Sequence, residues 1–183
     1  MRAAFSFDSP DTGEENARMN SADFTSDCAN CAALCCLAFA FDKGERFAHD
    51  KDAGEACKHL TQHQCAIHDD LETRGYKGCV AYECLGAGQR VTAMFGQSWR
   101  EVPKLTAPMI DAFRTMRDIQ ELRQLLRAAQ NLPLPNEKSA EREVWLAALD
   151  STWTRESLSR FDANGTATAI RTWLRGLAEH LTR

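Results

Sequence analysis

Apolar residues recur at steps of three and four through the second half of the chain, beginning just after Pro103. This spacing places them on one face of an α-helix, so it predicts a long amphipathic helix over 105–129. Proline lacks an amide donor and clashes with the preceding turn, so the prolines within 131–136 are expected to end this helix. The apolar positions are Leu105, Met109, Phe113, Met116, Ile119, Leu122, Leu126 and Ala129.

Two further helices are predicted after this break. One runs through about 138–152, and Asn164-Gly165 makes a turn before the last one, which Thr166 is expected to cap. Single-faced stripes of this kind are typical of core packing, so the second half is predicted to be a helical bundle. The alternative interpretation of these stripes is a docking surface for a protein partner, and the sequence alone does not distinguish the two. The expected core contacts are Val144, Leu146 and Leu149, and then Ile170, Trp173, Leu174, Leu177, Ala178 and Leu181.

The first half shows no such period. Residues 1–22 are polar and acidic, and they are expected to form a flexible leader. Residues 23–96 carry every cysteine, four of the five histidines and most of the glycines, which indicates short elements folded around a site. We therefore predict a mainly α fold in three parts. These are the leader at 1–22, a cysteine-rich metal-binding unit of short helices and loops at 23–100, and the helical bundle at 101–183.

Charge and hydropathy remove several functional classes. The net charge of −4 and the pI near 5.7 provide no basic field for nucleic acid or anionic lipid. The longest apolar run, 35–41, is far shorter than the roughly 20 residues that cross a bilayer. The acidic N-terminus lacks the basic and apolar regions of a secretory signal. We therefore expect a soluble cytoplasmic protein with no nucleic-acid partner and no membrane partner.

The eight cysteines fall into two groups, of which the first is Cys28-x-x-Cys31-x-x-x-Cys35-Cys36. A C-x-x-C pair lets both sulfurs reach one ion at about 2.3 Å. On a helix, a turn of about 100° per residue puts Cys28, Cys31 and Cys35 within roughly 60° of one another. Cys36 then points about 100° away from Cys35. The first three are therefore expected to share a site, and Cys36 to serve a neighbouring site or the same one from another side.

The second group is spread through loops and consists of Cys57, Cys65, Cys79 and Cys84. Eight thiols supply four ligands for each of two metals, or one four-thiolate cluster with the other thiols in supporting roles. One or two of them can instead be inert buried thiols, with Cys36 and Cys84 as candidates. A disulfide framework is a further alternative, but it requires an oxidising compartment.

The spacing does not choose the metal. Four thiolates leave a net double negative charge around zinc and around an oxidised four-iron cluster, so both sites need nearby amides and cations. Histidines among the cysteines are candidate ligands, whereas the glycine turn at 86–89 is weak evidence for nucleotide binding. The candidate cations are Lys43, Arg46, Lys51, Lys58, Arg74 and Lys77, and the candidate histidines are His49, His59, His63 and His68.

Three segments carry a family resemblance: the motif ending in the doublet Cys35-Cys36, the segment Cys57-Lys58-His59-Leu60, and Cys65-Ala66-Ile67-His68. Together they resemble the YkgJ-type cysteine-cluster family of zinc- or iron-chelating domains. That family has Arg-Pro-x-x-Cys where this chain has Arg74-Gly75-Tyr76-Lys77-Gly78-Cys79, and Cys84 would be the closing cysteine. The resemblance implies that all eight cysteines bind metal. One branch includes a flagellin lysine methylase associated with an iron–sulfur cluster, which modestly favours a 4Fe-4S cluster over zinc.

A second resemblance continues past the cysteines, in Phe41-Asp42-Lys43 and in the ranges 79–91, 95–100 and 113–117. These segments look like the N-terminal region of certain bacterial pentapeptide-repeat proteins. This chain contains no five-residue repeats, so the resemblance implies a stand-alone version of that module and no particular activity.

The expected function is metal binding, in which the metal stabilises a unit that has few large apolar side chains of its own. One alternative is a redox or cluster-dependent enzyme, or an electron-transfer component. Another is a metal chaperone or store. No catalytic residue is predicted.

Overall fold

Helices dominate the described part of the chain, which confirms the predicted mainly α class. The computed structural model describes residues 24–180, apart from the side chain of Asp162, and the predicted leader at 1–22 lies outside them. The α-helices of this part are α1 (Leu34–Ala38), α2 (Lys77–Val80), α3 (Ala87–Phe95), α4 (Thr106–Ala128), α5 (Asn136–Leu149), α6 (Arg155–Phe161) and α7 (Thr166–Gly176). Strands β1 (Leu60–Thr61) and β2 (Gln64–Cys65) form an antiparallel pair in which Leu60 lies opposite Cys65.

The long helix α4 is the centre of the fold, as its apolar stripe predicts. A 3-10 turn from Pro103 leads into it, and a second one over Ala129–Asn131 follows it, so the helix ends before the prolines. Helices α1, α3, α5, α6 and α7 all contact α4. Its fully buried side chains include Met109, Phe113, Ile119, Leu122 and Leu126.

Helix α5 begins two residues before its predicted start and ends three residues before its predicted end. Leu146 and Leu149 are buried as expected, but the prediction for Val144 is wrong because its surface is 67% exposed. Two residues along a helix turn through about 200°, so Val144 and Leu146 cannot both face the core.

The prediction that Thr166 caps the last helix is also wrong. Thr166 is the first residue of α7, and its backbone N–H donates to the Asn164 side-chain oxygen at 2.9 Å. Helix α6 was not predicted at all. It starts with a reciprocal cap, in which Thr154 Oγ1 accepts from the Ser157 N–H and Ser157 Oγ accepts from the Thr154 N–H.

One hydrophobic core crosses the predicted boundary near residue 100. Leu34 and Leu37 of α1 and Val91 of α3 belong to the same buried cluster as the apolar face of α4. In contrast, the buried apolar residues between 39 and 83 are Ile67 and Tyr76 alone. Both ends of the cysteine-rich region are therefore anchored on α4, whereas its middle has little core of its own. Within residues 24–180, no helix has the length and apolar character needed to cross a membrane.

Candidate metal centre

The first cysteine motif does not form the single helix assumed for it. Cys28–Asn30 is a 3-10 turn capped by the Asp27 side chain, and α1 begins only at Leu34. Between them Ala33 adopts φ = 56°, in the left-handed region that breaks a right-handed helix. The argument from one helix face is therefore wrong for this motif.

Four thiols nevertheless surround one pocket, and they include the three expected to act together. Cys28, Cys31 and Cys35 line it with Cys84, which joins them from the far end of the cysteine-rich region. We call these four the first thiol set. The other lining residues are Asp27, Gly88, Gln89 and Phe113.

Helix α3 fixes the backbone around this pocket. The Ala32 N–H donates to Thr92 Oγ1 at 2.9 Å, and the Ala32 carbonyl accepts from Trp99 Nε1 at 2.7 Å. Gln89 donates to the Thr25 carbonyl and accepts from the Asp27 N–H. The segment that carries Cys28 and Cys31 is therefore held at both ends, by side chains of α3 and of the loop that follows it.

Gly88 is the closest neighbour of the first thiol set on α3. A Cβ atom at this position would lie 2.6 Å from the Cys31 Sγ and 3.8 Å from the Cys84 Sγ. The first distance is far inside van der Waals contact. The absence of a side chain at Gly88 is what lets these two sulfurs sit against the start of α3.

The remaining cysteines, Cys36, Cys57, Cys65 and Cys79, form a second thiol set. The Cys57 N–H donates to the Cys36 carbonyl at 3.1 Å, and Cys65 lies on β2. Burial raises the pKa of Cys79 to about 11, and negative charge on Cys35, Cys57 and Cys65 adds to the increase. The pKa of Cys36 is raised by its Cys35 neighbour and by burial, with smaller contributions from negative charge on Cys57 and Cys65. Cys57 and Cys65 therefore lie within electrostatic range of both Cys36 and Cys79, and so does Cys35.

All eight cysteines are free thiols in the structure. Within residues 24–180, no group of three or more His, Cys, Asp and Glu side chains is arranged as a formed metal site. The two thiol sets are therefore defined by shared surroundings, not by ligand distances.

Ionisation of the first thiol set is uneven. Cys28 is an exposed residue, but partial burial of its thiol against the pocket raises its pKa to about 11, with smaller contributions from the negative charge of Cys35 and Cys31. Burial also raises the pKa of Cys31. In contrast, a hydrogen bond from the Cys36 thiol lowers the pKa of Cys35 to about 7. Cys28 and Cys31 are therefore protonated at neutral pH, so a metal bound through them must displace protons.

Lys51 is the one buried side chain among the six candidate cations. It is 5% exposed, and its ammonium donates to the carbonyls of Leu37, Phe39 and Asp52. Its charge favours the thiolate of Cys35. A buried cation beside the thiols is the electrostatic partner that an anionic thiolate–metal site requires.

The candidate histidines are not gathered among the sulfurs. His49 and His59 both hydrogen-bond the Tyr76 hydroxyl, at 2.9 and 2.8 Å. A phenol has one proton, so Tyr76 donates to at most one of the two imidazoles and accepts from the other. His63 packs edge-on against Trp99, and His68 is exposed beside Asp69.

Three side chains of α4 donate hydrogen bonds to backbone carbonyls that lie within two residues of a cysteine. Arg114 reaches the Ala38 carbonyl at 3.1 Å, Arg117 the Glu83 carbonyl at 2.9 Å, and Gln120 the Leu85 carbonyl at 2.7 Å. Leu85 adopts φ = 53°, which is strained for a residue with a side chain. The bond from Gln120 therefore holds the turn that brings Cys84 to the pocket.

For a metal held by the first thiol set, replacing Gln120 with leucine should weaken the binding. The side chain is 1% exposed, and the change leaves the Leu85 carbonyl without this donor. We expect Gln120→Leu to lower the free energy of unfolding by about 1–3 kcal/mol, and the metal affinity by roughly 10-fold. Competition with a chelator and urea unfolding measure the two effects. Gln124→Leu, an exposed position on the same helix, is the matched control. Equal affinities in the two variants would contradict this role.

Sequence reasoning missed Gly88 and Gln120 as residues of the site. Gly88 was assigned to a glycine turn at 86–89, whereas the structure places it in the first turn of α3, so its close approach to the sulfurs was not anticipated. Gln120 had a weak signal, a polar residue directly after Ile119 in an apolar stripe. Its partner, the Leu85 carbonyl, cannot be inferred without the fold.

Comparison with known proteins identifies a relative without assigning an activity. Over 115 residues the chain is 40% identical to a protein described as "Uncharacterized protein YybG" from Bacillus subtilis (strain 168). The match covers 61% of this chain and 41% of that protein, so the chain spans about two fifths of the relative's length. No family model matches the chain, and no solved structure matches it.

Proposed function

We propose that this chain is a metal-binding protein in which the eight cysteines hold an iron–sulfur cluster or zinc. The observation that carries the proposal is the pocket lined by Cys28, Cys31, Cys35 and Cys84. Four thiols around one pocket are an unusual use of cysteine unless the sulfurs serve as ligands, because buried structural cysteines have no reason to converge.

The chemistry of the donor set fits a soft metal. Thiolates select zinc or iron–sulfur clusters over magnesium, calcium and manganese, which prefer oxygen ligands. The Tyr82 hydroxyl is buried and has no hydrogen-bond partner of ordinary geometry within residues 24–180. Burial raises the pKa of Tyr82, and negative charge on nearby Cys35 raises it further. A protonated phenol beside the first thiol set is a ready donor to a metal-bound thiolate.

Our preference for one form of the metal rests on the family resemblance. It favours a 4Fe-4S cluster, with zinc as the alternative. A cluster would supply a one-electron redox centre, whereas zinc would only cross-link the chain. Lys51 offsets the negative charge in either case. A reducing cytoplasm is the setting that would keep all eight thiols available.

A redox or electron-transfer protein is the second candidate. Cys28 is the one exposed cysteine of the eight, so one side of the first thiol set faces solvent. An exposed ligand shortens the path for an electron to a docked partner, or for a metal to leave. A purely structural site gains nothing from this exposure.

Purification under anaerobic conditions from cells supplied with iron and zinc tests the proposal. We expect a brown protein with the visible absorption of a thiolate-bound cluster and with matching amounts of iron and sulfide. A colourless protein with bound zinc would retain the metal-binding function and replace the cofactor. Reversible reduction of the cluster would favour the redox candidate. A protein that contains no metal, and takes up none when its thiols are reduced, would refute the proposal.

A further inference from the structure

Ser26 lies directly against the sulfur of Cys84. Its hydroxyl oxygen is 2.8 Å from the Cys84 Sγ, in a partly buried place, and the same hydroxyl donates to the Glu83 carboxylate. Glu83 Oε1 also accepts from the Leu85 N–H at 3.0 Å. A sulfur of the first thiol set, a hydroxyl and a carboxylate are thus joined in one short hydrogen-bonded chain.

Helices α3 and α4 hold both ends of this hydrogen-bonded chain. Gln89 of α3 donates to the Thr25 carbonyl at 2.8 Å and accepts from the Asp27 N–H at 3.3 Å. One side chain therefore clasps the backbone on either side of the serine, which limits where the hydroxyl can reach. Arg117 of α4 donates to the Glu83 carbonyl at 2.9 Å. The contact with the sulfur is therefore built from fixed elements on both sides.

The number of protons in this chain changes when Cys84 binds a metal. A serine hydroxyl has one proton, and a carboxylate can only accept. In the metal-free protein Ser26 donates to Glu83, and the Cys84 thiol has a proton of its own to donate to the Ser26 oxygen. A metal is bound by the thiolate, which has no proton to donate. The Glu83 carboxylate and the Cys84 sulfur then compete for one hydroxyl proton.

The result of this competition affects the metal–sulfur bond. A hydrogen bond to a ligand sulfur draws negative charge from it, and such bonds are among the factors that set the potential of an iron–sulfur cluster. Hydrogen bonds to a charged acceptor are roughly twice as strong as those between neutral groups, so the carboxylate is a strong competitor. Glu83 is exposed, so its charge can be removed without disturbing the core.

Resting on the proposed function, we infer that Ser26 is a positioning residue of the metal centre, which donates its hydroxyl proton to the metal-bound Cys84 sulfur in competition with the Glu83 carboxylate. The two residues then have opposite effects. Ser26 lowers the charge and the reactivity of the bound sulfur, whereas Glu83 draws the proton away and raises both. Two residues that only held the turn at Cys84 would have effects of the same sign.

Alkylation of the cobalt(II)-loaded full chain under anaerobic conditions tests this inference. Sulfur-to-cobalt absorption shows that the metal is bound, and mass spectrometry measures the initial rate at which iodoacetamide modifies Cys84. We expect Ser26→Ala to raise this rate by roughly 10-fold, the order expected for loss of a hydrogen bond to a charged group. Ser26→Thr keeps the hydroxyl and should restore the wild-type rate.

Glu83→Gln should change the rate in the opposite direction. Its neutral amide oxygen competes less well for the hydroxyl proton, so alkylation of Cys84 should slow by about threefold. The energy of the sulfur-to-cobalt absorption gives a second measurement of the charge on sulfur. It should fall in Ser26→Ala and rise in Glu83→Gln.

The outcomes separate this inference from the proposed function. If the wild type shows no sulfur-to-cobalt absorption, the proposed function fails and this inference with it. If cobalt binds but Cys84 reacts equally fast in Ser26→Ala and Ser26→Thr, metal binding stands and the role of Ser26 is refuted. Changes of the same sign in Ser26→Ala and Glu83→Gln also refute it. If Ser26→Ala does not fold, Glu83→Gln still decides, because an unchanged rate in that variant contradicts the competition.

Discussion

On the proposed metal-binding function, removing the metal should lower the melting temperature by about 10 °C or more and open residues 39–83, while α4 stays folded. The region 39–83 buries only Ile67 and Tyr76 as apolar residues, so it cannot be stable by burial alone. Metal bound only by the folded state adds its binding free energy to stability. A contribution of several kcal/mol shifts the melting temperature of a chain of this size by about 2–4 °C per kcal/mol.

Hydrogen exchange distinguishes this partial opening from a uniform loss of stability. The N–H groups of Gly54 and Cys57 donate across to the carbonyls of Leu37 and Cys36, and they should exchange much faster after chelation. The amides of α4 should keep their protection, since that helix lies in the hydrophobic core. Restoring the metal should restore both the melting temperature and the slow exchange. An unchanged melting temperature and unchanged exchange after chelation would show that the metal has no structural role.

The sequence predicts the helices of the bundle well where apolar residues recur at helical spacing over several turns. The stripe over 105–129 has eight apolar positions at helical spacing, six of them within α4, so an error at one position has little effect on the prediction. The end near residue 129 follows from the prolines. Helix α6 has seven residues, too few turns for a period, and its start depends on the reciprocal cap between Thr154 and Ser157. Val144 was wrongly assigned to the core because the prediction considered only its hydrophobicity and not its position around the helix axis. Its exposure shows that a core prediction must also compare the angular position of each apolar residue with that of the others on the helix.

The candidate site, too, is predictable from the sequence only in part. Cysteine spacing is enough to identify all eight residues as candidate ligands, because it depends on the chain alone. Cysteine spacing does not predict which of the eight come together in space, because that depends on the conformation of the backbone turns between them. Ala33 and Leu85 both adopt left-handed conformations, although neither is glycine. The first separates Cys31 from α1, and the second directs the chain after Cys84 into α3. Cys84 therefore joins the first thiol set, although in sequence it is the most distant from it.

Replacing Gly88 with alanine should impair metal binding without destabilising the metal-free protein. Within a helix alanine is favoured over glycine by about 1 kcal/mol, so helix propensity alone predicts a gain. The new Cβ would lie 2.6 Å from the Cys31 Sγ, which is the end of a short side chain and can rotate away. The metal-free protein then loses nothing, but Cys31 no longer faces the pocket. We expect the metal affinity of the first thiol set to fall by roughly 100-fold.

Gly176→Ala is the matched control for this change, because Gly176 also lies in a helix and a Cβ there would have no neighbour within 4 Å. Chelator competition measures the affinity, and thermal unfolding of the metal-free variants measures the stability. The two alanine variants should be alike without metal and differ only with it. If Gly88→Ala binds metal as tightly as Gly176→Ala, Cys31 is not a ligand in that pocket. If Gly88→Ala is unstable even without metal, the glycine is needed for packing, and its contact with Cys31 says nothing about the metal.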